Sequence, residues 1–520
     1  MREHFFHVCI NGDACMKFAC AVSELYGQGV EDFAMAIDSY VTKVPFQHII
    51  DRRIVATQNV EHFIALYPAE IAPDDTILDA VSPYLTQTFQ MIKRTKGFDS
   101  TTDEIEHCYF TNIGFWESYL KKNNITVVLF NKYPHGCGAL DFIIYQVARA
   151  LGIKTIFNGL SMWSSRAFYA QTIEEPFTML DRTLNKLKVT YAAVNSWEDI
   201  PLTSGYDDIF RKEVGEESQK TPIYMNKKAI ADERCTQMCG FSHEDIFIYY
   251  KYCCANRKLL GLSRKNIFRL YIYTVFASFQ KHIDRPLFDL RISMFFAYLF
   301  RKEARNTVKL EQAYKRLSVS ADFSKKYIYF PLHMQPECTT IPQAGKSYYN
   351  HAIPIRILAS TLPEDVFIYV KENPKQTYGA RKQEFYNELL AIPHVVLVDP
   401  NTNTFDLIKN SIAVSTLTGT AGWEGLFYQK PFIMFGYWVT RSAPGVLHVR
   451  TKEECKAAVD NILSGKISWD LKDLRLFFKA MDESEGYALD LTDNNDPQLS
   501  DKVKRNLEIF QEYYLSMNSD

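Results

Sequence analysis

Nowhere in the 520 residues does an apolar run approach the roughly eighteen residues needed to cross a bilayer. The runs IYTVFASF (272–279) and MFFAYLF (294–300) fall well short, and Arg or Lys lies close to each. The N-terminus, MREHFFHVCINGDACMKFAC, lacks an uninterrupted apolar stretch followed by a small-residue cleavage site, so it does not read as a secretory signal and a cytoplasmic chain is expected. Short-period repeats and low-complexity segments are also missing. The eleven cysteines are odd in number and scattered, which fits reduced thiols and not a disulfide framework. Cys235, Cys239, Cys253 and Cys254 cluster, but no second spaced Cys/His pair completes a zinc-site pattern.

What is present is a core-forming composition, with 47% hydrophobic, 14% aromatic and 23% charged residues. Such a chain buries a large core, and its length exceeds what one core holds, so two domains and an insertion are expected. Net charge is only -2, yet it is unevenly spread: Lys251 to Lys326 holds seventeen Lys/Arg against five acidic residues. A basic, aromatic stretch of that kind presents a face to something anionic, here an anionic membrane surface. No RNA- or DNA-binding motif accompanies it, so nucleic acid is not expected as a partner.

The last two hundred residues alternate β-rich runs with helical stretches. Strands are expected at 326–332, 365–371, 394–399, 412–417 and 431–436, with helices at 351–361, 381–391, 404–410 and 422–428 between them. Short strands alternating with helices imply a parallel sheet covered on both faces. A less regular version appears earlier, with strands at 5–10, 125–131 and 154–158 and a helix at 140–151. The fold class expected is α/β, two Rossmann-like lobes of GT-B-like type facing a central cleft. The N-terminal lobe covers 1–180, a mostly helical insertion 181–322 and the C-terminal lobe 323–500. A C-terminal helix at 501–520 would cross back to the first lobe.

Three strand ends in the second lobe carry candidate chemistry. Ser415 to Glu424 (STLTGTAGWE) leaves one strand and opens a helix, where small residues and unpaired N–H groups suit a phosphate. Thr418, Gly419 and Thr420 would hold a donor phosphate there, and Glu424 would accept from a ribose hydroxyl. Lys371 and Asn373, in YVKENP, end a neighbouring strand and would face the same crevice, the lysine neutralising phosphate charge. His333 and Glu337, in FPLHMQPECTT, put an imidazole and a carboxylate at a third strand end, residue types suited to general base or nucleophile roles. In the first lobe, His135 and Asp141 (PHGCGALD) are the acceptor-side candidates, with helix capping open for Asp141. Asn11, Gly12 and Asp13 form a further strand-end loop. No Asp-x-Asp motif falls at a suitable strand end, so neither a metal nor any other cofactor is expected.

The order FPLHMQPECTTIPQAG, LP-x3-FIYVKENP, HVVLVDP and VSTLTGTAGWEGLFYQKPFIMFG resembles bacterial capsule polysaccharide biosynthesis proteins, a group that includes capsule Kdo transferases of GT-B-like fold. The likeness covers about 325 to 450 well and 120 to 160 faintly. It implies a glycosyltransferase that takes a nucleotide-sugar donor and a glycan or lipid-linked acceptor, and the basic, aromatic stretch would hold such an enzyme at the inner face of the cytoplasmic membrane. In related capsule and sialyl-type enzymes a Lys-x-His-Pro element helps hold the nucleotide phosphate. Here it reads Lys371, Glu372, Asn373, Pro374, with the histidine absent and Asn373 still able to donate a hydrogen bond. Glu337 is similar to an acidic residue that the Kdo enzymes place after the first strand of that lobe, which implies a nucleophile's role. A sugar-nucleotide epimerase of the same architecture and a non-catalytic glycan-binding component are the alternatives.

Overall fold

The computed structural model describes residues 2–36, 38–55, 60–67, 71–96, 100–134, 139–161, 166–175, 177–215, 301–335, 340–346, 348–373, 376 and 381–517. Its first strand, β1 (Phe5–Ile10), shows why the N-terminal segment becomes the centre of a sheet: Phe5, Phe6, Val8 and Ile10 are all fully buried. Apolar side chains on both faces are the mark of a parallel strand covered on both sides. His7 is buried with them; its Nε2 lies 2.8 Å from Ser23 Oγ, and burial pushes its imidazole down to about 3. Helix α1 (Asp13–Tyr26) leads to β2 (Phe33–Ala36) and β3 (His48–Asp51). After helices α2 (Leu85–Lys96) and α3 (Thr102–Lys122) come β4 (Val127–Phe130), helix α4 (Leu140–Ala150), β5 (Lys154–Leu160) and β6 (Arg166–Ala170).

These strands build a sheet of order β13-β6-β5-β4-β1-β2-β3, whose last member, β13 (Gly486–Tyr487), comes from near the C-terminus. The pairs among β1 to β5 are parallel, whereas β6 is antiparallel to both its neighbours. Helices α5 (Thr178–Thr190), α6 (Ser204–Val214) and α7 (Arg301–Leu317) flank the part of the 181–322 segment that lies outside the described residues. The cysteine cluster at 235–254 and most of the basic stretch fall there too.

The second sheet contains β7 (Lys326–Pro331), β8 (Val366–Lys371), β9 (Val395–Leu397), β10 (Ala413–Thr416), β11 (Phe432–Met434) and β12 (Val446–His448). Its order is β12-β11-β10-β7-β8-β9, parallel throughout. Period-two alternation divides β7 between two cores. Ile328 and Phe330 join Ile355, Leu358 and Leu389 on one face, with helices α8 (Ala352–Ala359) and α9 (Gln383–Leu390). Tyr327 and Tyr329 join Tyr369, Phe405 and Ile408 on the other, where α10 (Thr404–Asn410) and α11 (Thr420–Leu426) lie. The expected α/β architecture of two Rossmann-like lobes is therefore the one observed.

The return to the first lobe occurs earlier than the expected boundary at 501. After α12 (Lys452–Leu463), helix α13 (Leu471–Ser484) packs on α5 and α6, and β13 completes the first sheet. Helix α14 (Leu499–Met517) then packs on α1, where Phe510 meets the ring of Phe18 at 5.7 Å. One apolar cluster crosses the junction, holding Trp423, Leu426 and Phe432 of the second lobe together with Phe477 and Phe478 of α13 and Phe210 of α6.

Candidate functional site

At the carboxyl ends of β7, β8 and β10 lies a cavity of about 360 Å³. Open parallel sheets bind ligands at this edge, because strand-to-helix loops expose N–H groups and side chains there. Six of the sequence-derived candidates line it: His333, Lys371, Asn373, Thr418, Gly419 and Thr420. Thr418 and Gly419 are half-buried and Thr420 is exposed, so among the described residues no element covers the turn that opens α11. Gly419 occupies the N-cap position in extended conformation without a side-chain cap, which leaves the first N–H groups of the helix uncapped by that residue. It also permits a close approach: a Cβ there would sit 2.9 Å from Thr416 Oγ1 and 3.2 Å from His333 Nε2.

His333 is held on both sides of its ring. Its Nδ1 lies 3.0 Å from Thr340 Oγ1 and its Nε2 2.6 Å from Thr416 Oγ1, and both threonines are buried. A neutral imidazole has one donor and one acceptor nitrogen, and a hydroxyl can complement either. Lys371 lines the same cavity with its ammonium donating to the Thr402 carbonyl at 2.5 Å and to Thr404 Oγ1 at 3.0 Å. The lysine charge is thereby fixed against the wall formed by the start of α10.

Sequence reasoning missed the network beneath this wall. Glu372, read only as the variable position of the Lys-x-His-Pro element, is buried and forms an ion pair with Arg381. It also accepts from Tyr386 Oη at 2.7 Å and from the Asn373 N–H at 2.6 Å. Arg381 donates to the His333 carbonyl and lies 3.2 Å from His351 Nδ1. The His333 N–H lies 3.3 Å from His351 Nε2, and the two imidazoles stack at 5.5 Å. The Arg381 guanidinium and the His333 N–H are both obligate donors, so His351 satisfies only one of them fully. Burial, reinforced by the Arg381 charge and then by His333, holds the His351 imidazole well below its ordinary value. A pairing of Glu372 with a basic residue nine positions on is the one signal the sequence offered.

The remaining candidates among the described residues lie elsewhere. Glu424 sits one turn into α11, outside the cavity lining, with Thr420 as its hydrogen-bond partner and Glu213 of α6 nearby. Burial first, then the Glu213 charge, raises its carboxyl to about 7, and burial does the same for Glu213. Asp141 is buried and grips Arg52 Nη2 with both oxygens, at 2.8 and 2.9 Å. It forms an interior ion pair and is not the helix cap, since the N-cap of α4 is Ala139. The Asn11 to Asp13 loop is fastened by Asn494, whose Oδ1 accepts the Asp13 N–H at 2.9 Å. Glu337 and His135 lie outside the described residues.

The site is tied to the first lobe through the helix Thr340–Ala344. Thr340 contacts His333, Gln343 lines the cavity, and the Ile341 carbonyl accepts from Gln87 Nε2 of α2 at 2.5 Å. On the far side of the junction, Arg441 Nη1 donates to the Glu174 carbonyl at 2.9 Å. Among the described residues no helix is long and apolar enough to cross a membrane.

Comparison with known proteins gives one family match. Residues 289–454 match the sequence model of the family described as capsule polysaccharide biosynthesis protein. No curated protein matches the chain. Among solved structures, a beta Kdo 2,7 transferase, KpsC of Thermosulfurimonas dismutans, is 16% identical, with 33% of this chain and 51% of that chain covered and a TM-score of 0.21. The chain thus spans about half the length of that protein. A UDP-GlcNAc 2-epimerase from Methanocaldococcus jannaschii is 11% identical over 90% of this chain and 95% of that one, with a TM-score of 0.25. A UDP-GlcNAc 2-epimerase from Neisseria meningitidis, bound to UDP-GlcNAc, is 13% identical over 98% and 100%, with a TM-score of 0.22. The segment that carries His333, Lys371 and the Thr418–Thr420 turn is therefore the segment by which the chain matches the capsule polysaccharide biosynthesis protein family.

Proposed function

We propose that the chain is a glycosyltransferase that moves a sugar from a nucleotide-sugar donor to a capsule-type polysaccharide or glycolipid acceptor. The observation that carries this reading is the convergence of Lys371, Asn373, His333 and the Thr418–Thr420 turn on one cavity at the strand ends. The match over 289–454 supports it. A donor phosphate would lie against the uncapped amides at the start of α11, with the Lys371 ammonium and the threonine hydroxyls opposing its charge. As the acceptor oxygen bonds to the anomeric carbon, the bond to phosphate breaks and the nucleotide leaves with the electron pair. The acceptor proton passes to His333 or Glu337. Fixed cation and amides then do the work of charge stabilisation, and no divalent metal is required.

Thermal-shift titration with CMP, UDP, GDP and CDP tests the donor half, because a ligand that binds the native state raises its melting temperature. One of the four is expected to stabilise the protein, and turnover of its sugar is expected to need an acceptor and to survive EDTA. Turnover of the nucleotide-sugar without any acceptor would replace this reading with the epimerase one. Full retention of glycan binding with no turnover, and no effect of Glu337→Gln, would replace it with a binding component.

A further inference from the structure

A second cavity, of about 330 Å³, adjoins the first. Glu372 and Asn373 line both, so these two residues form a shared wall between them. That wall is fixed from several directions. Tyr314 of α7 accepts the Glu372 N–H at 3.1 Å and donates to the Val398 carbonyl at 2.9 Å. Arg381 and Tyr386 hold the Glu372 carboxylate. Gln376 and the backbone of Gln335 pair in both directions, at 2.8 and 2.9 Å.

The lining of the second cavity differs from that of the first. Its apolar surfaces are the rings of Tyr314 and Tyr386 with Leu310 and Pro400. Its polar surfaces are mostly amides, from Gln312, Asn373, Gln376 and Asn401. Among the described residues the cation there is Lys315, set against Glu311 and the ion-paired Glu372, so the cavity does not concentrate charge of one sign. Phosphate would want several cations, and a wholly apolar ligand would strip water from amides without replacing it. A sugar ring meets both requirements, with C–H faces for the aromatic and aliphatic walls and hydroxyls that donate to and accept from amides. The volume lies at the lower end of small-molecule sites and suits one or two such rings.

We propose that this second cavity is a glycosyl-binding subsite, which takes a hydroxyl-rich sugar unit beside the reaction cavity, from either the donor or the acceptor. It deepens the proposed function by adding a sugar-binding site on the second lobe, between α7 and the ends of β8 and β9. It rests on that reading only for the source of the sugar.

The test uses the full chain and two cavity-filling variants at exposed positions, Asn401→Trp and Gln312→Trp, each checked for an unchanged melting temperature. Saturation-transfer NMR with free N-acetylglucosamine, galactose, glucuronic acid and N-acetylneuraminic acid reads sugar binding, and the nucleotide panel reads the first cavity. At least one sugar is expected to show transfer with the wild type and to lose it by at least about threefold in both variants. The nucleotide response should stay the same. If that sugar is displaced by its own nucleotide conjugate it comes from the donor, and if it binds alongside the conjugate it comes from the acceptor. No transfer to the wild type, or undiminished transfer in both variants, overturns the subsite. Loss of every nucleotide response with sugar transfer intact would instead overturn the donor reading above and leave the subsite standing.

Discussion

Arg381 is the residue on which most of the site's geometry converges, since its guanidinium reaches Glu372, the His333 carbonyl and His351 together. Removing one partner of a buried pair leaves the other charge without compensation, at a cost of about 3–5 kcal/mol. Arg381→Met should therefore lower stability by that order in urea titration, and Arg381→Lys should recover part of the stability but little of the activity, because an ammonium cannot hold three acceptors in the guanidinium's planar geometry. Equal recovery of both would mean that the pair only supports the fold. His333 is poised differently. Gly419→Ala would place a methyl group 2.9 Å from Thr416 Oγ1 and 3.2 Å from His333 Nε2, pressing on their hydrogen bond. The expected outcome is a fall in turnover of at least about tenfold with less than about 1 kcal/mol lost in stability, read by steady-state kinetics beside thermal melts.

Glu424 links residue chemistry to the behaviour of an element. Its carboxyl rises from 4.5 to about 7 in the folded protein, first through burial and then through Glu213. Between those values the native state holds more protons than the unfolded chain, so stability declines as pH rises through that window and levels off above about 7. Glu424→Gln, neutral throughout, should lose the part of this decline that Glu424 contributes, with that of Glu213 remaining, and its melting temperature should gain on wild type between pH 5 and pH 8. A constant difference across that range would contradict the burial of an ionisable carboxyl beside α6. The helix that bears Glu424 is clamped away from the cavity: Trp469 Nε1 donates to the Leu426 carbonyl at 3.1 Å, and Trp423 packs on Phe478 at 5.5 Å. On its sheet side, a Cβ at Gly422 would meet the Phe432 ring at 2.4 Å. Gly422→Ala should then push α11 off β11 and destabilise by about 1–3 kcal/mol, measured by chemical denaturation.

At the same scale, most of the second lobe was legible in the sequence, because its strands from β7 to β11 are short apolar runs bounded by turn residues and separated by helices, whereas β12 and α12 were not among the expected elements. The expected helix 404–410 coincides with α10, and the expected strand 365–371 differs from β8 by one residue. The first lobe was harder to read. Among the described residues no α-helix lies between strands β2 and β3, so no strand–helix alternation marks them, and β13 has two residues and pairs with a strand more than three hundred positions earlier. Pairing over that separation leaves no local trace. The site divides in the same way: residues on strand-end loops were found from their neighbours in sequence, whereas Arg381 and His351 matter through contacts that only tertiary packing creates. Asp141 shows the converse, a carboxylate well placed in sequence whose charge is taken up by Arg52, 89 positions away.

For the whole molecule, the shared cluster at the junction and the Gln87 contact make the two lobes meet beside the cavity. The seventeen Lys/Arg between Lys251 and Lys326 add a second property at this scale. Each basic residue near an anionic leaflet contributes about 1 kcal/mol, and salt screens that attraction. Cosedimentation with phosphatidylglycerol-containing vesicles should be strong at low salt and should fall steeply as ionic strength rises; equal binding to neutral vesicles would remove the membrane from the account. The cavity at the strand ends decides whether the protein handles a nucleotide-sugar at all, and calorimetric titration of the wild-type and Lys371→Met chains with CMP, UDP, GDP and CDP probes it. One nucleotide should bind the wild type and bind Lys371→Met at least about tenfold more weakly; binding of none of the four, or equal affinity for the two chains, would rule out a donor phosphate held there by Lys371.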